Sequence, residues 1–308
     1  MHNFYRSAVD KFLWTLKVSE KLRWMSDESY LKLIYFLRCR KTLHLDKPRT
    51  FTEKLQWLKI NNRKPQFTTM VDKYRAKQFI SEKVGEEHVV PSYGCWKKAD
   101  DIDWNALPDK FVLKTNHDSG TVLICSDKKS FDANRAKSIL QGKVEKNFYA
   151  GGREWPYKDV DPLIFAEQYL EDAELENDSG DEWCGIAEYD FFCFDGKPKF
   201  VSFCHGDKTD SSKRFNDYYD MDFVKMNLTC GYSSCGHNHD KPKQFSEMVS
   251  IAKELSDGIP FLRVDMFICN DVVYVGEMTF FPWSGFMPFE PYEKDLEIAE
   301  MINVSREG

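Results

Sequence analysis

The chain has 308 residues, 42% of them hydrophobic and 30% charged, with a formal net charge of -7 and a sequence pI near 5.6. This length supports one large core or two smaller ones, and the acidic balance argues against a nucleic-acid partner. Nine cysteines without regular spacing, no cleavable leader and no apolar run approaching the roughly 20 residues of a membrane span point to a reducing cytoplasm rather than a disulfide framework.

The first 60 residues read as helical. In YRSAVDKFLWTLKVSEKLRW, Tyr5, Val9, Phe12, Leu13 and Leu16 recur at helical spacing. Residues 1–24 carry five basic groups against two acidic ones. Such a segment either docks on its own domain, the reading favoured here, or makes peripheral contact with the inner face of a membrane. SDESYLKLIYFLRCRK is predicted as a second helix capped by Ser26, and TFTEKLQWLKINN as a third opened by Thr50 or Thr52. TTMVDKYRAKQFISEKVG reads as one helix stopped by Gly85. KFVLKT and TVLICS are predicted strands around the loop NHDSG, followed by a helix from Phe131 to Phe148 and the strand PLIFAEQYL. EDAELENDSGDE reads as a solvated acidic loop. AEYDFFCFDGKPKFVSFCHG is predicted as a hairpin turning at Asp195-Gly196, FSEMVSIAKELSDGI as a helix, and FLRVDMFICNDVVYVGEMTFFPW as a second hairpin turning at Asn270-Asp271. Helices followed by a mixed body make this an α+β chain.

The last hairpin carries charges that its composition does not explain. Arg263, Asp265 and Phe267 share one strand face; Val275, Glu277 and Thr279 share another. A two-residue turn pairs Val264 with Glu277 and sends Asp265 to the opposite side. One extra loop residue, or a bulge, pairs Asp265 with Glu277 and Arg263 with Thr279. The second register is preferred, since it gathers the polar groups on one face. Facing carboxylates repel unless a cation lies between them, and hard oxygen ligands suit magnesium; a solvated charged rim is the alternative. Lys114 interrupts Phe111-Val112-Leu113 and needs an anionic partner if its strand is central, whereas an edge strand would leave it at the rim. Lys73 lies at a positive helix end if Asp72 is the cap, but is an ordinary surface residue if the helix begins at Thr68 or Thr69, which the residues alone favour. CGYSSCGHNH offers Cys230, Cys235, His237 and His239 as soft ligands for zinc. The two histidines are only two apart and the cysteines lack a partner pair, so a polar loop is expected.

Taken in order, these features resemble the ATP-grasp superfamily, and DKYRAK and RVD are similar to stretches of D-alanine–D-alanine ligases. TFTEKLQWLKINNR, VDKY, FVLKTNHDSG, GREWPY, FFCFDGKPKF and GIPFLRVD followed by GEMTFFP resemble the TupA-like branch over about residues 25–290. That branch is named for teichuronopeptide biosynthesis and is common among bacterial surface-polysaccharide genes. The resemblance implies an ATP-grasp fold, two α+β subdomains sandwiching ATP. A helical region 1–66 would precede an ATP-grasp domain 67–308, made of a lid at about 110–165 and a metal-binding part 166–308. It also implies a carboxylate–amine ligase that uses ATP and Mg2+ and forms an amide through an acyl phosphate. Its substrates would be an amino acid and a sugar acid or polysaccharide precursor.

By the same resemblance, Lys73 and Lys114 contact ATP phosphates, with Lys114 also near the adenine. The loop His117, Ser119 and Gly120 closes over the phosphates, and Glu167, Gln168 and Leu170 hold adenine. Asp265 and Glu277 bind magnesium, with Thr279 in the third ligand position, and Arg263 steadies the acyl phosphate. Arg214, in SSKRFNDYY, is predicted on a loop that closes over the site and contacts the phosphate or the acid; a solvent-exposed basic turn is the alternative. Two departures stand out: Thr279 replaces the usual Asn, and helices occupy the place of the superfamily's N-terminal α/β domain. The competing reading is a glycosyltransferase that uses Asp220-Met221-Asp222 for a nucleotide sugar, although Asp101-Ile102-Asp103 and Asp159-Val160-Asp161 have the same form.

Overall fold

The computed structural model describes residues 21–171, 186–206 and 211–304. The helix expected over residues 1–20 and most of the acidic loop EDAELENDSGDE lie outside them. The helix Asp27–Cys39 is capped as expected: Ser26 Oγ accepts the Ser29 N–H at 3.2 Å, and Asp27 and Glu28 occupy the first turn. It buries Tyr30, Leu31, Ile34 and Tyr35. The helix Phe51–Asn61 opens with a capping box. The Glu53 N–H donates to Thr50 Oγ1 at 3.3 Å, and the Thr50 N–H donates back to Glu53 Oε2 at 3.1 Å. This helix is buried on nearly every side, including Glu53, Gln56 and Lys59. Its lysine and glutamine nitrogens reach carbonyls far along the chain. Lys59 Nζ donates to Gly152 O (2.7 Å) and Ser284 O (2.8 Å), Gln56 Nε2 to Gly285 O (2.7 Å), and Lys54 Nζ to Ala299 O (2.7 Å) and Ile302 O (2.8 Å).

The single helix expected before Gly85 is two helices, Gln66–Val71 and Ala76–Val84. Asp72 breaks it: its Oδ1 accepts the N–H groups of Tyr74 and Arg75, both at 3.0 Å, so the carboxylate ends one helix and starts the next. The Lys73 N–H leaves the helix altogether and donates to Asn116 O at 3.0 Å. Gly85, at φ +116, stops the second helix as expected.

One sheet has four antiparallel strands, β1 (Ser92–Trp96), β2 (Phe111–Thr115), β3 (Val122–Cys125) and β4 (Ile164–Gln168), in the order β1-β4-β2-β3. It extends beyond the 110–165 expected for a lid on both sides. Phe111, Leu113, Ile164 and Ala166 pack with Leu140 of the helix Ala133–Val144. That helix is shorter than the 131–148 expected, because Asp132 caps it by accepting the Arg135 N–H at 2.9 Å.

The second sheet has five antiparallel strands, β5 (Glu188–Phe194), β6 (Lys197–Gly206), β7 (Arg214–Asp220), β8 (Phe261–Cys269) and β9 (Val272–Thr279), in the order β7-β6-β5-β8-β9. β7 corrects the loop expected around Arg214. Its buried Asn216 and Asp217 interrupt the apolar pattern by which a strand is recognised. On one face Phe191 meets Phe245 of the helix Phe245–Ser256 at 5.6 Å between ring centroids. On the other, Phe192 stacks on Phe200 at 4.6 Å and meets Phe289 at 5.8 Å, while Phe51 meets Phe261 at 5.2 Å.

The β8–β9 hairpin has the preferred register, Asp265 opposite Glu277 and Arg263 opposite Thr279. A bulge produces it. Asn270 (φ 48) and Asp271 (φ 64) form a two-residue turn that pairs Cys269 with Val272. The pairing then slips by one at Gly276, between Asp265 and Met266. Val275, expected on the charged face, therefore turns inward opposite Met266, and Tyr274 takes the outward place, stacked on Phe267 at 5.6 Å. No helix among the described residues is long and apolar enough to cross a membrane. Phe192 joins the sheet to the aromatic cluster of Phe200, Phe261 and Phe289. Phe192→Ala should lower the unfolding free energy by about 3–5 kcal/mol in denaturant titrations, the cost of emptying an aromatic core position.

Candidate functional site

The charged face of β8 and β9 is tightly organised. Arg263 grips Asp265 with two parallel bonds, Nε to Oδ1 and Nη2 to Oδ2, each 2.6 Å. Thr279 Oγ1 lies 3.2 Å from both Asp265 Oδ2 and Glu277 Oε1. The neighbouring strand adds Asp190, directly opposite Asp265, with Ser202 Oγ 3.3 Å from its Oδ2. The sequence reading missed Asp190. It stands in a run of aromatic residues, and only strand pairing brings it beside Asp265. Burial, with Asp190 and Glu277 nearby, pushes the Asp265 carboxyl well above its ordinary range. Burial likewise pushes Asp190 up to about 6. Burial acts on Glu277 in the same sense, but Lys73 and Arg263 outweigh it and hold that carboxyl low. Three carboxyl groups share the face with two cations, Arg263 and Lys73. Such a set of hard oxygens fits a divalent cation such as magnesium, whose charge would favour the ionised form of the two raised carboxyls.

Lys73 connects this hairpin to the other sheet. Its Nζ donates to Asp118 O at 2.7 Å and lies 3.4 Å from Glu277 Oε2. Asp118 stands in the loop after β2, where its carboxylate accepts from Thr115 Oγ1 and from Thr121 Oγ1 (2.5 Å). His117 is buried, which lowers its pKa, whereas Ser119 and Gly120 (φ +85) are exposed at the tip.

Lys114 lies on β2, inside the sheet, and it has an anionic partner: Glu167 of β4. Glu167 is also bound by Lys77, whose Nζ reaches Glu167 Oε2 at 2.9 Å and Val90 O at 2.6 Å. Burial opposes ionisation of Glu167, but the two ammonium groups prevail and hold its carboxyl below the usual range. Sequence reading missed Lys77 because one helical lysine among several carries no local signal. Gln168 is exposed, with its N–H donating to Pro91 O at 2.9 Å, and Leu170 is half-buried past the end of β4.

Arg214 opens β7, with Nη2 3.1 Å from Glu188 Oε2, Nε 3.1 Å from Cys204 Sγ, and its guanidinium 5.2 Å from the centroid of Tyr232. It is not on a loop, but the strand pairing puts it on the same sheet face as Asp190. Of the four soft ligands noted in the sequence, Cys230 is buried, with Sγ 3.8 Å from Met287 O, while Cys235 and His239 approach each other at 3.3 Å. The Asp220-Met221-Asp222 triplet forms a turn: Asp220 Oδ1 accepts the N–H groups of Asp222 (3.0 Å) and Val224 (2.9 Å).

A model of the TupA-like ATPgrasp family matches residues 53–303. The chain belongs to this family. No curated protein matches it. Among solved structures, this TupA-like ATP-grasp protein is similar to the D-alanine–D-alanine ligase of Bacillus anthracis in complex with ATP, at 17% identity and a TM-score of 0.42, covering 76% of this chain and 65% of that one. It is also similar to the ATP-grasp ligase PsnB in complex with a precursor variant, Mg and ADP, at 10% identity and a TM-score of 0.40, covering 81% and 63%. A third is the phosphoribosylglycinamide synthetase of Anaerococcus prevotii, at 13% identity and a TM-score of 0.36, covering 74% and 48%. The TupA-like chain spans less than two thirds of the length of each.

Glu167 between two lysines has a consequence for stability. Its carboxyl is depressed below the ordinary 4.5, so its contribution is present above that pH and is lost as pH falls through the folded-state value. Glu167→Gln should destabilise the protein at pH 7 by about 3 kcal/mol, since it leaves two part-buried ammonium groups unpaired. In thermal melts between pH 7 and pH 3 the variant should also lose this part of the acid dependence.

Proposed function

We propose that the chain is an ATP-dependent carboxylate–amine ligase. The observation that carries this reading is the convergence of Asp190, Asp265, Glu277, Arg263 and Lys73 beside the loop 117–120. In the proposed reaction a substrate carboxylate takes the γ-phosphoryl group of ATP, and an amine then displaces phosphate to form the amide. Asp265 and Glu277, with Thr279 in the third position, would hold magnesium, which when bound neutralises charge on the phosphate oxygens. Lys73, already between Asp118 O and Glu277, would donate to a phosphate oxygen. The exposed tip Ser119-Gly120, stiffened by the bonds of Asp118 to Thr115 and Thr121, would cover the phosphates, with His117 buried behind it. Lys114 would contribute from β2. The adenine would lie against the segment Glu167–Leu170 where β4 leaves its sheet, with Gln168 at the rim. Arg263 keeps N–H donors beyond the two spent on Asp265, and its planar fork suits the oxyanion formed when the amine adds. Arg214 would stand farther along the same face, where an acidic substrate group could meet it.

The two subdomains would follow the sheets, with a smaller one at about 92–168 and the metal-binding one after it. The proposed substrates are an amino acid and a sugar acid or other surface-polysaccharide precursor. This part rests on the teichuronopeptide branch that the family's name denotes. A cytoplasmic setting agrees with the eight cysteines among the described residues, which form no disulfide with one another. Contact with a membrane through residues 1–24 is carried by their basic charge alone.

An ADP-release screen over amino acids and sugar acids, with mass spectrometry of the product, tests the reading. Glu277→Gln keeps shape and polarity but removes a charge, so ADP release should fall by orders of magnitude while the fold persists. Asp265→Asn should behave alike. Near-wild-type release by Glu277→Gln would overturn the assignment. Tight binding of a nucleotide sugar in calorimetry, without binding of ATP, would favour a glycosyltransferase instead.

A further inference from the structure

The opposite face of the five-stranded sheet holds a second cluster, at the β6–β7 edge. His205 of β6 and Asp217 of β7 are diagonal neighbours there, since Phe203 pairs with Asp217 and His205 with Phe215. Asp190, Asp265 and Glu277 point the other way, because Ser202 is the residue of β6 that pairs with Asp190. The segment after β7 returns to this edge with Cys235 and His239. One ligand atom from each of His205, Asp217, Cys235 and His239 lies within 4.8 Å of all the others. Close approaches include His205 Nε2 to Asp217 Oδ2 at 3.0 Å, Cys235 Sγ to His239 Nε2 at 3.3 Å, and His239 Nε2 to Asp217 Oδ2 at 3.5 Å.

These contacts do not form a relay. In a Cys–His–Asp relay the imidazole uses one nitrogen for the thiol and the other for the carboxylate. Here the same Nε2 of His239 meets both partners, and Asp217 Oδ2 meets both imidazoles. Four lone-pair atoms therefore lie within reach of a single ion. With metal–ligand bonds of about 2.0–2.3 Å, the edges of a tetrahedral zinc site are about 3.3–3.6 Å; the three contacts above are of that order, and the remaining pairs, within 4.8 Å, would draw in by about 1 Å at most on binding. The other oxygen of Asp217 is occupied: Oδ1 accepts from Ser234 Oγ at 2.5 Å and from Lys225 Nζ at 2.7 Å. Outer bonds of this kind orient a metal-binding carboxylate and aim its second oxygen inward. Phe203 packs on both imidazoles, at 5.0 Å from His205 and 4.7 Å from His239, giving the cluster an apolar wall.

We propose that His205, Asp217, Cys235 and His239 bind a structural zinc ion that clips the segment after β7 to the sheet. Two imidazoles, a thiolate and a carboxylate suit zinc far better than magnesium, and four protein ligands leave no open position for catalysis. The clipped segment includes Tyr232, whose ring meets Trp283 at 5.3 Å and lies under Arg214 at 5.2 Å. The ion would thus brace a wall of the opposite face while taking no part in its chemistry.

Elemental analysis of the purified full chain, before and after exposure to zinc and removal of excess, tests this. About one zinc per chain is expected in the wild type and in Cys230→Ser and His237→Asn, which lie outside the cluster. Cys235→Ser and His239→Asn should hold much less. Cobalt loaded in place of zinc should give a thiolate charge-transfer band that Cys235→Ser abolishes. Zinc in large excess over its Kd should raise the wild-type Tm by about 5–10 °C, and a chelator should reverse this. The last comparison needs no variant and holds even if a substituted chain fails to fold. A wild type without zinc whose Tm ignores both zinc and chelator would overturn the proposal and leave a hydrogen-bonded polar cluster. Equal zinc loss from Cys230→Ser would also overturn it.

Discussion

The site depends on one irregularity in a backbone ladder. The turn at Asn270-Asp271, taken alone, would pair Val264 with Glu277 and put the two carboxylates on opposite faces of the sheet. The bulge at Gly276 slips the register by one residue, so that Asp265 faces Glu277. A Cβ at Gly276 would lie 3.3 Å from Asp265 O, a tight contact that glycine avoids at the slip. The same slip is visible in burial: Val273 and Val275 point inward before it and Met278 after it. One extra residue therefore satisfies two demands at once, an apolar face against the core and a charged face toward the other sheet.

Once the carboxylates face each other, their repulsion must be contained. Arg263 does most of this within the hairpin, and Lys73 does it from outside. Lys73 is free to do so because Asp72 interrupts its helix, and its ammonium then bridges Glu277 and the loop after β2. The same motif of an acid held between cations recurs at Glu167 with Lys77 and Lys114. In both places buried charge is tolerated because it is paired and hydrogen-bonded. The difference lies in the sign of the excess. Glu167 is outnumbered by cations, which suits contact with an anionic nucleotide. The Asp190, Asp265 and Glu277 group outnumbers its cations, which suits a metal ion.

The helix Phe51–Asn61 supplies the rigidity behind this arrangement. It is buried nearly all round, yet it carries lysine and glutamine that reach backbone carbonyls at 152, 284 and 285. Lys59 is wholly buried, and burial lowers its pKa to about 7. Those bonds hold the stretch after β9, which also carries Trp283 and Phe289, against the aromatic cluster of the sheet.

Residues close together in the chain determined much of this protein directly. The capping residues Ser26, Thr50 and Gly85 act on backbone groups a few positions away, and the turns Asp195-Gly196 and Asn270-Asp271 need only their own dihedral preferences. The charges of Arg263, Asp265 and Glu277 stood out because they break an apolar strand pattern, which is a local contrast. Other features were settled only by contacts between distant segments. Asp72 could equally belong to a continuous helix, and β7 hid behind Asn216 and Asp217, the latter bound by His205 of β6 and by Lys225 and Ser234 beyond it. Asp190 and Lys77 look ordinary until a strand or a helix sets them beside Asp265 and Glu167. The grouping of Cys235 and His239 with His205 and Asp217, rather than with Cys230 and His237, is of the same kind. Local backbone preferences act over a few residues and are written in the sequence, whereas charge neutralisation and ligand geometry depend on which surfaces the fold brings within about 4 Å.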